Sequence, residues 1–174
     1  MSKGKKYDIK PAGKSEVALL LAMMDSTTKS WKDELRGISE SEFKWQAVKG
    51  GHSIGMVVLH CAMAEYWWIH GVAKGKKVDM KFIHSLGYKR MDIANGVYGT
   101  PLRKPKAWYL KQITDVRKKT KTSVKRLKAT HVGVGRGDQE YSLRWILHHL
   151  VEHEAYHHGQ MVLLRELYKN RKKR

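Results

Sequence analysis

The segment LRWILHHLVEHEAYHHGQMVLL, residues 143–164, decides how the chain is read. Leu143, Ile146, Leu147, Leu150, His153, Tyr156, His157, Met161 and Leu164 recur every three or four residues, the period that lays one stripe along one side of an α-helix. The pattern opens near Ser142 and runs to about Lys169. His153 and His157 lie within the stripe. Four helical residues turn through about 400° and rise about 6 Å, so the two imidazoles share one side of the helix, displaced by ~40°. Such a pair is a familiar clamp for a divalent ion, because neutral histidine offers a nitrogen lone pair and the helix fixes both rings before the ion arrives. Two ligands seldom suffice.

A third ligand has to come from another helix facing the same core. Ser53 signals an N-cap, and Ile54, Val57, Val58, Cys61, Ala64, Trp67 and Trp68 follow as a broad apolar face that Gly71 and Gly75 close. His60 lies in the middle of that face, between Leu59 and Cys61, where an ionised ring would be costly. Two readings stand at this point: a three-histidine ion site, or a hydrogen-bonded core histidine beside a helix that carries many histidines. Cys61 is about 100° round the helix from His60 and reads as a buried, inert thiol.

Outward from these two helices, Val17, Leu20, Leu21, Met24, Thr28, Trp31 and Leu35 give an earlier helix that starts near Ser15 and ends at Gly37. Trp108, Ile113, Val116, Thr120, Val124 and Leu127 give another, from about Pro105 to Ala129. The stretch Ile38 to Gly51 is polar with scattered aromatics. Residues 74–106 are the least periodic part, a functional loop or one that hides short helices. Glycines 133, 135 and 137 read as a turn, since their spacing does not fit a phosphate-binding fingerprint. Four amphipathic helices without a convincing strand imply an all-α, antiparallel four-helix bundle over 15–169, flanked by a flexible basic arm, 1–14, and a basic tail, 170–174.

The 174 residues hold 35 Lys and Arg against 16 Asp and Glu, a formal net charge of +19. Much of the excess falls on one helix, where Lys111, Arg117, Lys118, Lys119, Lys121, Lys125, Arg126 and Lys128 face the lone acid Asp115. A basic bundle with a structural metal site that binds nucleic acid nonspecifically is therefore the alternative function, although no base-reading motif supports sequence specificity. A single cysteine excludes an intrachain disulfide scaffold. The longest apolar stretch, Val17 to Met24, is far short of the ~20 residues of a spanning helix, so the expectation is a cytoplasmic protein with no membrane partner.

Two separated motifs carry a resemblance. The run from His52 to His60 with Glu65-Tyr66-Trp67-Trp68 resembles the second helix of the DinB/YfiT-like metalloenzyme superfamily. The run from Leu143 to Gln160 resembles its last helix more closely, above all in the histidine, three residues, histidine, one residue, Gly-Gln segment. The resemblance implies an up-down-down-up bundle, commonly a homodimer, whose three histidines hold a divalent ion, zinc or nickel. Carried over by position, those ligands are His60, His153 and His157; His149, one turn before His153, is the substitute candidate, and His148 and His158 point elsewhere. Three protein ligands leave an open position, the arrangement of a catalytic site. The resemblance then implies a thiol-dependent S-transferase or a hydrolase, working on a small-molecule substrate through metal-bound thiolate or hydroxide, with a low-molecular-weight thiol as partner. Glu65 and Glu154 read as salt-bridge partners on the surface of a basic protein, with orienting an imidazole or relaying a proton as the alternative; Gln160 reads as a residue bonding near the ligands or capping a turn, and Tyr66, Trp67, Trp68 and Trp145 as core or dimer contacts, with Trp residues near the site mouth lining an apolar pocket as the alternative.

Overall fold

The computed structural model describes residues 8–92 and 95–171. The helix stripes fold as expected into a bundle of four long helices: α1 (Glu16–Glu34), α3 (Ile54–Tyr66), α5 (Lys106–Val124) and α6 (Leu143–Asn170), with a short α2 (Glu40–Lys44) and α4 (Met80–Ser85) in the connections. Much of the basic arm and of the tail, residues 1–7 and 172–174, lies outside the described residues. Serines start three of the four long helices: the Oγ atoms of Ser15, Ser53 and Ser142 accept from the amides of Ala18, Met56 and Trp145, which satisfies donors that have no intrahelical partner. The polar stretch after α1 holds α2, capped by Ser39, and the aperiodic segment holds α4, capped by Asp79.

α1 packs along α6, and α3 packs against both α5 and α6. The apolar stripes fill two clusters. One gathers Trp31, Phe43, Ile54, Leu59, Tyr109, Ile113 and Met161; the other gathers Val17, Leu20, Ile69, Leu143, Ile146 and Leu150. On α6 the pair His153 and His157 falls between Leu150 of one cluster and Met161 of the other, so the stripe changes from apolar to imidazole at the waist of the bundle.

Two local departures from the sequence reading shape the surroundings. α3 does not end at Gly71; it continues as a π-helical segment, Trp67–Ala73, with the Lys74 amide donating to the Ile69 carbonyl five residues back. Gly75, with φ of 57°, then turns the chain away. The glycine-rich turn is a hairpin of β1 (Val132–Val134) and β2 (Glu140–Ser142), antiparallel with Gly133 opposite Tyr141. Two three-residue strands are too short to show an alternation in sequence.

A candidate metal centre at the waist of the bundle

His60 on α3 and His153 and His157 on α6 converge: their ligand atoms all lie within 4.8 Å of one another. His153 Nε2 is 3.0 Å from His60 Nε2 and 3.2 Å from His157 Nε2. A tetrahedral ion with bonds of ~2.0–2.1 Å to nitrogen holds its ligands about 3.3 Å apart, so the two pairs that His153 makes stand close to the spacing such an ion imposes. The donor set also fits in its protonation. Burial, and then the neighbouring imidazoles, pull the pKa of His60 and of His153 down to about 3, which leaves both rings neutral with lone pairs free. Burial lowers His157 as well. The side chain of Gln160 accepts from His157 Nδ1 at 2.7 Å, which fixes the tautomer whose Nε2 lone pair faces the other two rings.

The remaining histidines are placed otherwise. His149 stacks on Trp145 at 4.9 Å with 7° between the planes and meets Trp68 edge-on, so its ring belongs to an aromatic stack. His148 pairs with Glu152 on the surface. His158 is not one of the converging rings.

Sequence reasoning passed over two residues beside the site. Tyr98, from the aperiodic segment, packs its ring 5.2 Å from that of His60 and 6.3 Å from that of His157. His52 lies against Tyr98 at 4.0 Å. Gln46 pins this arrangement by donating to the carbonyls of Gly51 and Gly99, which ties the loop bearing Tyr98 to the entry of α3. Burial raises the Tyr98 phenol to about 12, so it covers the histidines as a neutral ring. No periodicity marks Tyr98 or His52; only the His52-Ser53 start of the α3 motif hinted at either.

The acidic and basic candidates need correcting. Glu65 and Glu154 are not surface carboxylates: they are 2% and 3% exposed. Arg117, counted with the basic face of its helix, is 7% exposed and joins them. Its Nε donates to both Glu65 oxygens at 3.0 and 3.1 Å, its Nη2 to Glu154 at 2.8 Å and its Nη1 to Thr28 at 2.9 Å. Thr28 and the Trp31 indole both donate to the other Glu154 oxygen, at 2.5 and 2.6 Å. One ion cluster thus links α1, α3, α5 and α6. Long side chains of either sign look alike in sequence; the position of Arg117 among Ile113, Val116 and Thr120 was the available signal. Cys61 is buried as expected, and burial raises its thiol well above the ordinary range.

Beside His60 opens a cavity of about 380 Å³ whose walls include Trp67, Trp68, Val72, Ile83 and Tyr141. Trp67 and Trp68 therefore do more than fill the core. In a continued α-helix Val72 would sit about 140° from Trp67; the wider π-helical turn brings both onto the cavity.

A family profile described as Mycothiol-S-transferase matches residues 19–170. The chain belongs to the mycothiol S-transferase family, within the DinB/YfiT-like superfamily. Among solved structures it is similar to a conserved protein from Enterococcus faecalis, with a TM-score of 0.69 at 13% identity over 89% of this chain and 98% of that one. At that identity the likeness shows the shared fold. No curated protein matches the chain. The family match spans every element of the bundle from within α1 to the last residue of α6, and so contains all three converging histidines. No helix among the described residues is long and apolar enough to cross a membrane.

Proposed function

We propose that the chain is a divalent-metal-dependent thiol S-transferase that joins a low-molecular-weight thiol, mycothiol or a close relative, to an electrophilic small molecule. The convergence of three neutral imidazole nitrogens at the waist of a bundle of this family carries the reading. His60, His153 and His157 would hold the ion, zinc or nickel. A divalent ion with an open position supplies the positive charge that lets a thiol ionise near neutral pH.

The chain's own residues prepare for that chemistry. Helix α6 presents two rings one turn apart and α3 presents the third from a second direction, so three ligands leave a fourth direction open. Burial keeps the rings unprotonated, and Gln160 holds His157 in the ligating tautomer. Tyr98 and the apolar residues flanking His60 limit the water that reaches the centre, which strengthens electrostatic interactions inside it.

Metal analysis of tag-free protein, followed by a thiol-consumption assay with an electrophile and mycothiol, tests the reading. About one ion per chain is expected, lost in His60→Ala and His153→Ala together with thiol consumption. Protein that retains its ion in either variant, or that carries the ion and consumes none of a panel of thiols, refutes it.

A further inference from the structure

The cavity beside His60 has a composition of its own. Its volume of about 380 Å³ is within the ~300–1,000 Å³ range of small-molecule pockets, and its lining is mostly apolar. Trp67 and Trp68 come from the π-helical segment, a distortion found often at functional sites, and Tyr141 comes from β2. His60 supplies a wall shared with the histidine cluster.

The hairpin is pressed onto this wall. A Cβ at Gly133 would lie 2.3 Å from the Val72 carbonyl oxygen, so only glycine allows β1 to touch the π-helical backbone. His131 Nε2 meets the Ala73 carbonyl at 2.8 Å and anchors the strand's entry. The turn that follows delivers Arg136 to the cavity, with its guanidinium 5.2 Å from the centre of the Trp67 ring. Arg136 makes no ion pair among the described residues, although ten other basic side chains do. An unpaired cation at the mouth of an aromatic slot offers a flat surface and an anion-binding donor fork side by side.

We propose that this cavity is the subsite for the electrophile, and that it selects a flat, aromatic or conjugated molecule bearing an acidic group: the skeleton lies among Trp67, Trp68 and Tyr141 and the anion pairs with Arg136. The assignment of this occupant as the thiol's reaction partner rests on the transferase reading; the binding preference does not.

Binding of two fluorescent probes to the intact protein tests it. Anilinonaphthalene sulfonate carries an acidic group on a flat aromatic skeleton, and phenylnaphthylamine is the same skeleton without it. Wild type is expected to bind both, the sulfonate more tightly. Arg136→Gln should weaken the sulfonate about fivefold, the effect of one partly exposed charge pair, and leave the neutral dye unchanged. Ala64→Phe, which fills the cavity from α3, should abolish both; Met80→Trp, at the exposed rim, serves the same purpose if the first variant does not fold. Undiminished binding in a folded, filled variant, or equal weakening of both dyes by Arg136→Gln, overturns the proposal. Neither dye needs an ion or turnover. Loss of dye binding therefore leaves the metal reading standing, and a protein that binds the dyes without transferring thiol leaves the subsite standing.

Discussion

Replacing Arg117 by methionine tests the buried ion cluster that joins the four long helices. Methionine matches much of the arginine stem and removes only the charge and its donors. Breaking a buried pair by deleting one partner costs about 3–5 kcal/mol, because a charge is left without compensation. Here two carboxylates lose Arg117, but unequally. Glu154 keeps its hydrogen bonds from Thr28 and Trp31, whereas Glu65 loses both of its contacts with the guanidinium. Burial already raises the Glu65 pKa against the pull of Arg117, so without that pull Glu65 escapes by taking up a proton. Holding a carboxyl of ordinary pKa ~4.3 neutral at pH 7 costs about 1.36 kcal/mol per unit, or about 3.7 kcal/mol. The expected loss is therefore about 4 kcal/mol at pH 7, shrinking by about 1.4 kcal/mol per pH unit to between ~1 and 2 kcal/mol at pH 5. Urea unfolding of wild type and variant at both pH values measures it. Adding Glu65→Gln to the variant should recover most of the loss at neutral pH. A loss below about 1 kcal/mol at pH 7, or the same loss at both pH values, would refute the reasoning.

Three further outcomes follow from the site and its surroundings. Gln160→Leu removes the acceptor that orients His157, and competition with a chelator should show metal affinity reduced about 10–100-fold with the fold intact by circular dichroism. In metal-free protein the folded pKa values of His60 and His153, about 3, lie below the ordinary 6.5, so the unfolded chain takes up protons that the folded chain refuses. Their contribution to stability is thus complete above about pH 6.5 and is lost as the pH falls toward 3; denaturation midpoints that stay level between about pH 7 and pH 5 would contradict this. Gly133→Ala forces a methyl group against the Val72 carbonyl and should cost about 1–3 kcal/mol in thermal or urea unfolding while sparing metal content.

Local rules were enough for the four long helices and for the apolar face of each. Serine caps at Ser15, Ser53 and Ser142 and the three-and-four spacing of apolar residues act over a few residues, so their consequences are written along the chain. The same periodicity put His60, His153 and His157 on core-facing stripes before any contact was known. It did not show where distant segments would meet. The convergence of three nitrogens, the Tyr98 ring above them and the burial of Arg117 between Glu65 and Glu154 depend on contacts between elements many residues apart. The π-helical turn and the hairpin escaped for a related reason: each is held by the other, through the close approach of Gly133 to Val72, and neither repeats long enough to leave a pattern. Sequence alone determined which side of each long helix is apolar, because that is a matter of backbone period; packing decided which charged groups were drawn inside, because a buried charge is tolerated only where its partner arrives from another helix.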